Sequence, residues 1–229
     1  MAPRNKVGGK LCYNRTMKNY QYILFDWDGN LAKTLDIWLI ATRAPLENRG
    51  IHISDKTIAI QCFGRPIEGY AELGIKDIDA AITEMDQLAK KLMPEVELYP
   101  DALFVLEALK KGGKQTALIT TSLRNNVLHL LDKYNLHGFF DVVITNEDTK
   151  LHKPHAEPLT KALEQLGGDK ESAVMIGDSD KDIGAANNAA VDSILFYPDA
   201  HEKFYDLSEL QALQPTYTVN DFRQILAIV

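Results

Sequence analysis

The chain has 229 residues, of which 45% are hydrophobic and 25% are charged, with a net charge of −7. This composition is typical of a globular protein, and the acidic balance argues against binding to nucleic acid or to an anionic membrane surface, since both need a positive field. No apolar run approaches the roughly 20 residues of a membrane span. The two cysteines, Cys12 and Cys62, form no disulfide framework or metal cluster, which indicates a reducing, cytoplasmic setting.

The N-terminal part of the chain predicts one strand followed by helices. Residues 1–18 carry five lysines or arginines with no apolar segment behind them, so we expect a mobile tail and not a secretory signal. The apolar run 22–25 predicts a strand buried on both faces, as in a parallel sheet. An amphipathic helix is predicted over 34–48, and residues 51–97 predict short helices broken by glycine and proline.

Strands and helices alternate regularly after residue 98. The predicted helices are 101–111, 125–134, 157–166 and 181–190, and the predicted strands are 116–120, 141–145, 173–176 and 193–197. This spacing predicts an α/β fold with a Rossmann-like parallel sheet and helices on both faces. We expect its core at 19–35 and 98–229, an inserted helical cap at 36–97, and a final amphipathic helix over 220–229. Ligands of such sheets bind at the carboxyl ends of the strands.

The first predicted strand ends at two carboxylates, Asp26 and Asp28. Their mutual repulsion is relieved by a bound cation, and all-oxygen ligands favour Mg²⁺. One carboxylate could then attack phosphorus while the other exchanges a proton with the leaving oxygen and with water. Gly29 permits the tight turn that leaves this site uncovered. The alternative is an ordinary Asp-x-Asp-Gly turn or part of a calcium loop.

Three further polar segments follow later strands. The segment 177–182 adds Asp178, which can reach an ion held by Asp26, and Asp182, which can orient nearby groups, although helix capping would also use an acidic or hydroxyl residue here. The segment Thr120, Thr121 and Ser122 stands at the end of the strand 116–120, where hydroxyl and amide groups can hold phosphate oxygens or cap a helix. The Lys153 ammonium can balance the acidic cluster and hold a phosphate, although most lysines are simply solvated.

These four motifs, in this order along one parallel α/β pattern, resemble the haloacid dehalogenase superfamily, specifically its phosphatase branch, over about residues 22–197. The resemblance implies an Mg²⁺-dependent hydrolase acting on a small phosphorylated metabolite, for which phosphoglycolate and small sugar phosphates are candidates. The implied roles are nucleophile and metal ligand for Asp26, acid/base and carbonyl ligand for Asp28, phosphate binding for Thr120, Thr121 and Lys153, metal ligation for Asp178 and support for Asp182. The resemblance also implies that the helical cap selects the substrate.

Three positions depart from the family pattern, namely Asn30 in place of threonine, Ala156 in place of proline and Ala190 in place of glycine. We expect Asn30 to retain a hydrogen-bonding role. In the cap, Arg65 either contacts an anionic part of the leaving group or is a solvated loop residue. Trp38 is interpreted as a packing residue on the hinge side of the cap, with lining of the cleft as the alternative.

Other functions use the same residues. A phosphosugar mutase would return the phosphoryl group to its intermediate, and release of phosphate distinguishes the two activities. A haloacid dehalogenase does not need a second acid/base aspartate, so Asp28 and Asp178 argue against it. A non-catalytic binding module would have no need of the set Asp26, Asp28, Lys153 and Asp178.

Overall fold

The computed structural model describes residues 18–229, so the predicted mobile tail lies outside the described residues except for Lys18. The Lys18 ammonium lies 2.7 Å from a carboxylate oxygen of Asp192. Six parallel strands form one sheet in the order β3-β2-β1-β4-β5-β6. They are β1 (Tyr22–Phe25), β2 (Gln115–Ile119), β3 (Val142–Ile144), β4 (Ala173–Gly177), β5 (Asp192–Phe196) and β6 (Tyr217–Val219). The predicted α/β fold with a parallel sheet is confirmed.

Strand β1 lies at the centre of the sheet, and its side chains alternate between two hydrophobic layers. Ile23 and Phe25 belong to one buried cluster, and Leu24 belongs to the cluster on the opposite face. Burial on both faces explains why the run is continuously apolar. Phe25 is in register with Leu118 of β2 and Ile176 of β4, so the residues that follow these three strands meet at one edge of the sheet.

A helical insert, defined here as residues 35–97, follows β1. Its helices are α1 (Leu35–Glu47), α2 (Asp55–Cys62), α3 (Pro66–Glu72) and α4 (Ile78–Leu92). They share a buried apolar cluster that includes Leu39, Ile58, Tyr70 and Met85. Both ends of the insert leave the core side by side, since the Lys33 amide donates to the Glu97 carbonyl at 2.8 Å and Ala32 forms a β-bridge with Leu98.

The remaining helices cover the sheet. They are α5 (Ala102–Lys111), α6 (Arg124–Lys133), α7 (Glu157–Leu166), α8 (Asp180–Ala189) and α9 (Leu207–Ala212). Helix α8 ends at Ala190 in the left-handed conformation (φ 55°), which explains why glycine is usual there. Among the described residues, no helix has the length and apolar character that crossing a membrane requires.

The C-terminal region differs from its prediction. The final segment forms a short 3-10 helix, Phe222–Ala227, and not the amphipathic α-helix expected over 220–229. Phe222 and Ile225 are buried in the main core, so the predicted apolar face of this segment is confirmed, whereas the predicted helix type is wrong. Strand β6 and helix α9 were not predicted, because three and six residues are too few for a recognisable period.

Candidate active site

Three buried carboxylates meet at the edge where β1 and β4 end. Asp26 follows β1, Asp178 follows β4, and Asp182 lies in the first turn of α8. The Asp26 amide donates to the Ile176 carbonyl at 2.9 Å, which holds the two strand ends together. Each aspartate offers a carboxylate oxygen within 4.8 Å of the other two. The structure therefore brings the predicted residues Asp26, Asp178 and Asp182 into one cluster.

The Lys153 ammonium lies inside this cluster. It donates to Asp26, to Asp182 at 2.6 Å and to the Ile119 carbonyl at 3.1 Å. Burial alone would lower the pKa of Lys153, but the carboxylates of Asp182 and Asp26 raise it above its ordinary value. Lys153 is therefore a buried, fully charged cation that bridges two carboxylates.

One ammonium does not balance three carboxylates. Burial raises the pKa of Asp26 to about 8, with Asp182 and Asp28 adding to the rise and Lys153 opposing it. Burial also raises the pKa of Asp178 well above its ordinary value, and the charges of Asp182 and Asp26 add to it. This edge of the sheet is thus short of positive charge, which a bound cation would supply.

Asp178 is suited to bind a cation through one of its carboxylate oxygens. Within residues 18–229, its Oδ2 atom is buried without a hydrogen-bond partner, and an isolated buried carboxylate oxygen is costly. A Cβ atom on Gly29 would lie 2.3 Å from that oxygen, so the glycine keeps the space beside it open, and its φ of 77° also favours glycine. Carboxylate and carbonyl oxygens from Asp26, Asp178 and Asp28 fit Mg²⁺.

Asp182 is fully engaged by protein donors. Its Oδ1 accepts from Lys153, and its Oδ2 accepts from the Ser179 hydroxyl at 2.6 Å and the Ser179 amide at 3.1 Å. The contact from the Ser179 amide is one half of the capping box of α8, and in the other half the Asp182 amide donates to the Ser179 hydroxyl, so Ser179 caps the helix. Asp182 thus has two roles, since it holds the Lys153 ammonium in place and also caps the N-terminus of α8.

Asp28 is held by two donors from different elements. The Trp38 indole N–H donates to Oδ1 at 2.7 Å, and the Ser122 hydroxyl donates to Oδ2 at 2.8 Å. Trp38 lies in the first turns of α1 in the insert, so its role exceeds the packing that the sequence indicated. Sequence reasoning missed this contact, and Ser122 as a partner of Asp28, because each depends on how separate segments pack.

The segment after β2 does not cap the next helix through a hydroxyl. Helix α6 begins after Leu123 without a side-chain cap, and the Glu147 carboxylate accepts from the Arg124 amide at 3.0 Å instead. The Thr120 hydroxyl accepts from the Ser122 amide at 3.0 Å, and Thr121 lines the cavity described below. The capping alternative for this segment is therefore wrong.

Asn30 keeps a hydrogen-bonding role, as expected. It is fully buried, and its Nδ2 donates to the Ile176 carbonyl at 2.6 Å, which ties the turn after β1 to the end of β4.

His201 is a neighbour of the carboxylate cluster that the sequence did not indicate. It is buried, its Nε2 lies 2.7 Å from the Tyr99 hydroxyl, and its Nδ1 lies 4.0 Å from Asp178. Burial lowers the pKa of His201 to about 4, so the ring is neutral at pH 7.

The carboxylate edge forms the floor of a cavity of about 850 Å³ whose walls come from both the sheet edge and the insert. Asp26, Asp28, Lys153 and Asp178 lie at its floor. Arg65 lines the wall, and its guanidinium pairs with Glu72 of α3. The cavity therefore offers a binding space in direct contact with Asp26, Asp28 and Asp178.

Comparisons with known proteins agree with this arrangement. Residues 23–196 match the family model of haloacid dehalogenase-like hydrolases. Pyrophosphatase PpaX of Bacillus mycoides is 28% identical over 209 residues, covering 90% of this chain and 95% of the relative. PpaX of Bacillus velezensis is 31% identical over 176 residues, covering 76% and 82%.

Solved structures agree as well. A haloacid dehalogenase-like hydrolase structure from Bacteroides fragilis is 29% identical with a TM-score of 0.79, covering 90% of this chain and 99% of its own. A phosphoglycolate phosphatase-like structure from Lactobacillus plantarum is 25% identical with a TM-score of 0.78, covering 92% of this chain and 100% of its own. The resemblance seen in the sequence motifs is confirmed: the chain belongs to the haloacid dehalogenase-like hydrolase family and is an enzyme of its phosphatase branch.

Proposed function

We propose that this enzyme is an Mg²⁺-dependent phosphatase that hydrolyses a small phosphorylated metabolite through a phosphoryl group carried on Asp26. The observation that carries the proposal is the buried cluster of Asp26, Asp178 and Lys153 at the floor of a cavity that Asp28 also lines. One Asp178 oxygen in it has no hydrogen-bond partner among the residues that the structure describes. A buried nucleophile, a fixed ammonium and a separate acid/base carboxylate are the parts that phosphoryl transfer needs.

In the proposed mechanism, an Asp26 oxygen attacks phosphorus in line with the leaving oxygen. Asp28 gives a proton to that leaving oxygen and then takes one from the water that releases phosphate, which replaces one difficult step by two easier ones. Lys153 holds the phosphoryl oxygens and is itself held by Asp182. Mg²⁺ bound by Asp26, Asp178 and the Asp28 carbonyl would offset the negative charge of the phosphoryl group.

Asp28 is well placed for its proposed part. Both of its oxygens accept hydrogen bonds, from Trp38 and Ser122, so its carboxylate is oriented toward the cavity without a cation of its own. This separates its environment from that of Asp26, whose carboxylate contacts Lys153. Two aspartates in different environments suit two different roles.

We also propose that the insert contains the substrate-selecting cap and that this cap comprises residues 36–97. Helices α1 to α4 support this, since they pack on a cluster of their own and supply much of the cavity wall. The proposed setting is the cytoplasm, in keeping with two cysteines in the whole chain, and no nucleic-acid partner is proposed for a chain of net charge −7.

The test is phosphate release from a panel of phosphate compounds that includes pyrophosphate, phosphoglycolate and sugar phosphates, with Mg²⁺ and with EDTA. We expect release that requires Mg²⁺ and is lost in Asp26→Asn. Asp79→Asn, on the exposed face of α4, is the matched control and should keep wild-type rates. Conversion of one sugar phosphate into another without release would replace the phosphatase proposal with a mutase. Release by Asp26→Asn at the wild-type rate would refute Asp26 as the nucleophile.

The metal sites have a test that needs no turnover. Titration calorimetry should show Mg²⁺ binding to the wild type, and Asp178→Asn should weaken it by about tenfold or more, since it removes a charged ligand. Equal affinity in the two proteins would remove Asp178 from the proposed ligand set.

A further inference from the structure

The cavity is far larger than a phosphoryl group requires. At about 30 Å³ per heavy atom, the share of a water molecule in the liquid, the five atoms of phosphate would fill roughly 150 Å³. The volume of about 850 Å³ is in the range of cavities that enclose drug-sized ligands. Most of the space therefore lies on the side of the leaving group, between the carboxylate floor and the insert.

The wall on that side is largely apolar. Trp38, Phe63 and Met85 of the insert line it. Three more apolar side chains line it while remaining half exposed: Ile60 at 59%, Ile67 at 57% and Leu123 at 53%. Apolar side chains left open to a cleft, on both the insert and the core, indicate a surface that an apolar ligand group covers.

The charged groups of this wall disfavour a second anion. Of the described residues on this side, the cations are Arg65, which pairs with Glu72, and Lys181, whose ammonium donates to the Phe63 carbonyl. The exposed acidic residues that line the same wall are Asp86, Asp180, Asp206 and Glu209. A negatively charged leaving group would meet engaged cations and solvent-exposed carboxylates.

We infer that the substrate is a phosphate monoester whose alcohol part has an apolar or aromatic face and carries no anionic group. This inference deepens the proposed function and rests on it. It separates the enzyme from its relatives in substrate class, because pyrophosphate has a second phosphate as its leaving group and phosphoglycolate has a carboxylate. The phosphoryl end binds at Asp26 and Lys153, and the alcohol part lies against Trp38 and Leu123.

The test compares benzyl phosphate with 4-carboxybenzyl phosphate in Mg²⁺. The two esters release similar alcohols and differ by one carboxylate, so the ratio of their kcat/KM values isolates the charge. We expect benzyl phosphate to be favoured by about tenfold or more, equivalent to about 1.4 kcal/mol, and to be favoured over pyrophosphate and phosphoglycolate. Equal rates on the two benzyl esters, or a preference for either anionic substrate, would overturn the inference.

A charge placed in the wall gives a second, independent result. Leu123→Lys should reduce the benzyl to carboxybenzyl ratio by about tenfold, because it sets a cation beside the alcohol part. Leu103→Lys, an exposed position on α5 outside the cavity, should leave the ratio unchanged. An unchanged ratio in Leu123→Lys would overturn the assignment of this wall. Failure to hydrolyse any phosphate compound would refute the proposed function itself, which is a different result from a reversed preference.

Discussion

Replacement of Lys153 by methionine tests whether the carboxylate cluster depends on one buried cation. The side chains of Lys153, Asp26 and Asp182 are 4%, 8% and 1% exposed. Methionine keeps the apolar stem but leaves both carboxylates without their shared donor. Because both carboxylates are almost fully removed from solvent, the fold must hold an uncompensated charge or protonate it.

The expected loss is large on the scale of protein stability. Removing one partner of a buried ion pair costs about 3–5 kcal/mol. Lys153 bridges two carboxylates and also donates to the Ile119 carbonyl, so we expect the upper part of that range. A loss of this size is a substantial part of the roughly 5–15 kcal/mol that holds a typical domain folded.

Urea unfolding followed by circular dichroism, in EDTA, gives the free energy of unfolding. Lys33→Met is the matched control, since its ion pair with Glu97 is exposed (41% and 75%) and is worth at most about 1 kcal/mol. The double variant Lys153→Met/Asp182→Asn should recover part of the loss, because an amide replaces a stranded carboxylate. If Lys153→Met unfolds within about 1 kcal/mol of the wild type, the buried cluster does not have the charges assigned to it.

Three further predictions concern single contacts. Trp38→Phe should lower kcat by about tenfold and shift the pH–rate profile with little change in KM. The reason is that it removes the indole hydrogen bond to Asp28, and a hydrogen bond to a carboxylate is worth about 1.5 kcal/mol or more. An unchanged pH–rate profile would show that the indole only packs. Gly29→Ala should weaken Mg²⁺ binding in calorimetry, because its Cβ would lie 2.3 Å from the Asp178 carboxylate, and wild-type affinity would contradict this. Asp148→Asn should cost about 1–3 kcal/mol at pH 7, since it removes the negative charge that pairs with the Arg124 guanidinium and accepts from the Thr145 amide and hydroxyl. Burial opposes this, yet these bonds keep the pKa of Asp148 below its usual 3.8, so its contribution is present above that pH and is lost as pH falls through the lower folded value; a loss that stays constant down to pH 2 in urea unfolding would contradict the assignment.

The core of the site could be predicted because sheet geometry places it. Carboxyl ends of neighbouring parallel strands lie at one edge, so the residues that follow β1 and β4 had to meet. Asp26 and Asp178 were therefore predictable from two apolar runs and the residues after them. Lys153 taken alone was weaker evidence for a place in the site, since its burial depends on a long loop that no periodic pattern describes.

The contacts around Asp28 could not be predicted. Trp38 is ten residues away along the chain and approaches Asp28 when the insert packs on the core. Ser122 is 94 residues away and approaches Asp28 when β2 pairs with β1. His201 is similar, since it lies in a short 3-10 segment that has no amphipathic period. Local pattern predicts elements, whereas these side chains are positioned by tertiary packing.

The two ends of the insert lie side by side on the core, and this has a consequence for how the substrate preference of such an enzyme can evolve. The chain leaves the core at Lys33 and returns at Glu97, and these two residues are joined by one backbone hydrogen bond. Segments whose ends lie this close can be exchanged or resized without stretching the surrounding fold. The carboxylates that we assign to the chemistry lie outside the insert, so a gene could vary one part and keep the other. Grafting residues 35–97 between relatives is then a rational way to transfer substrate preference onto an unchanged reaction centre.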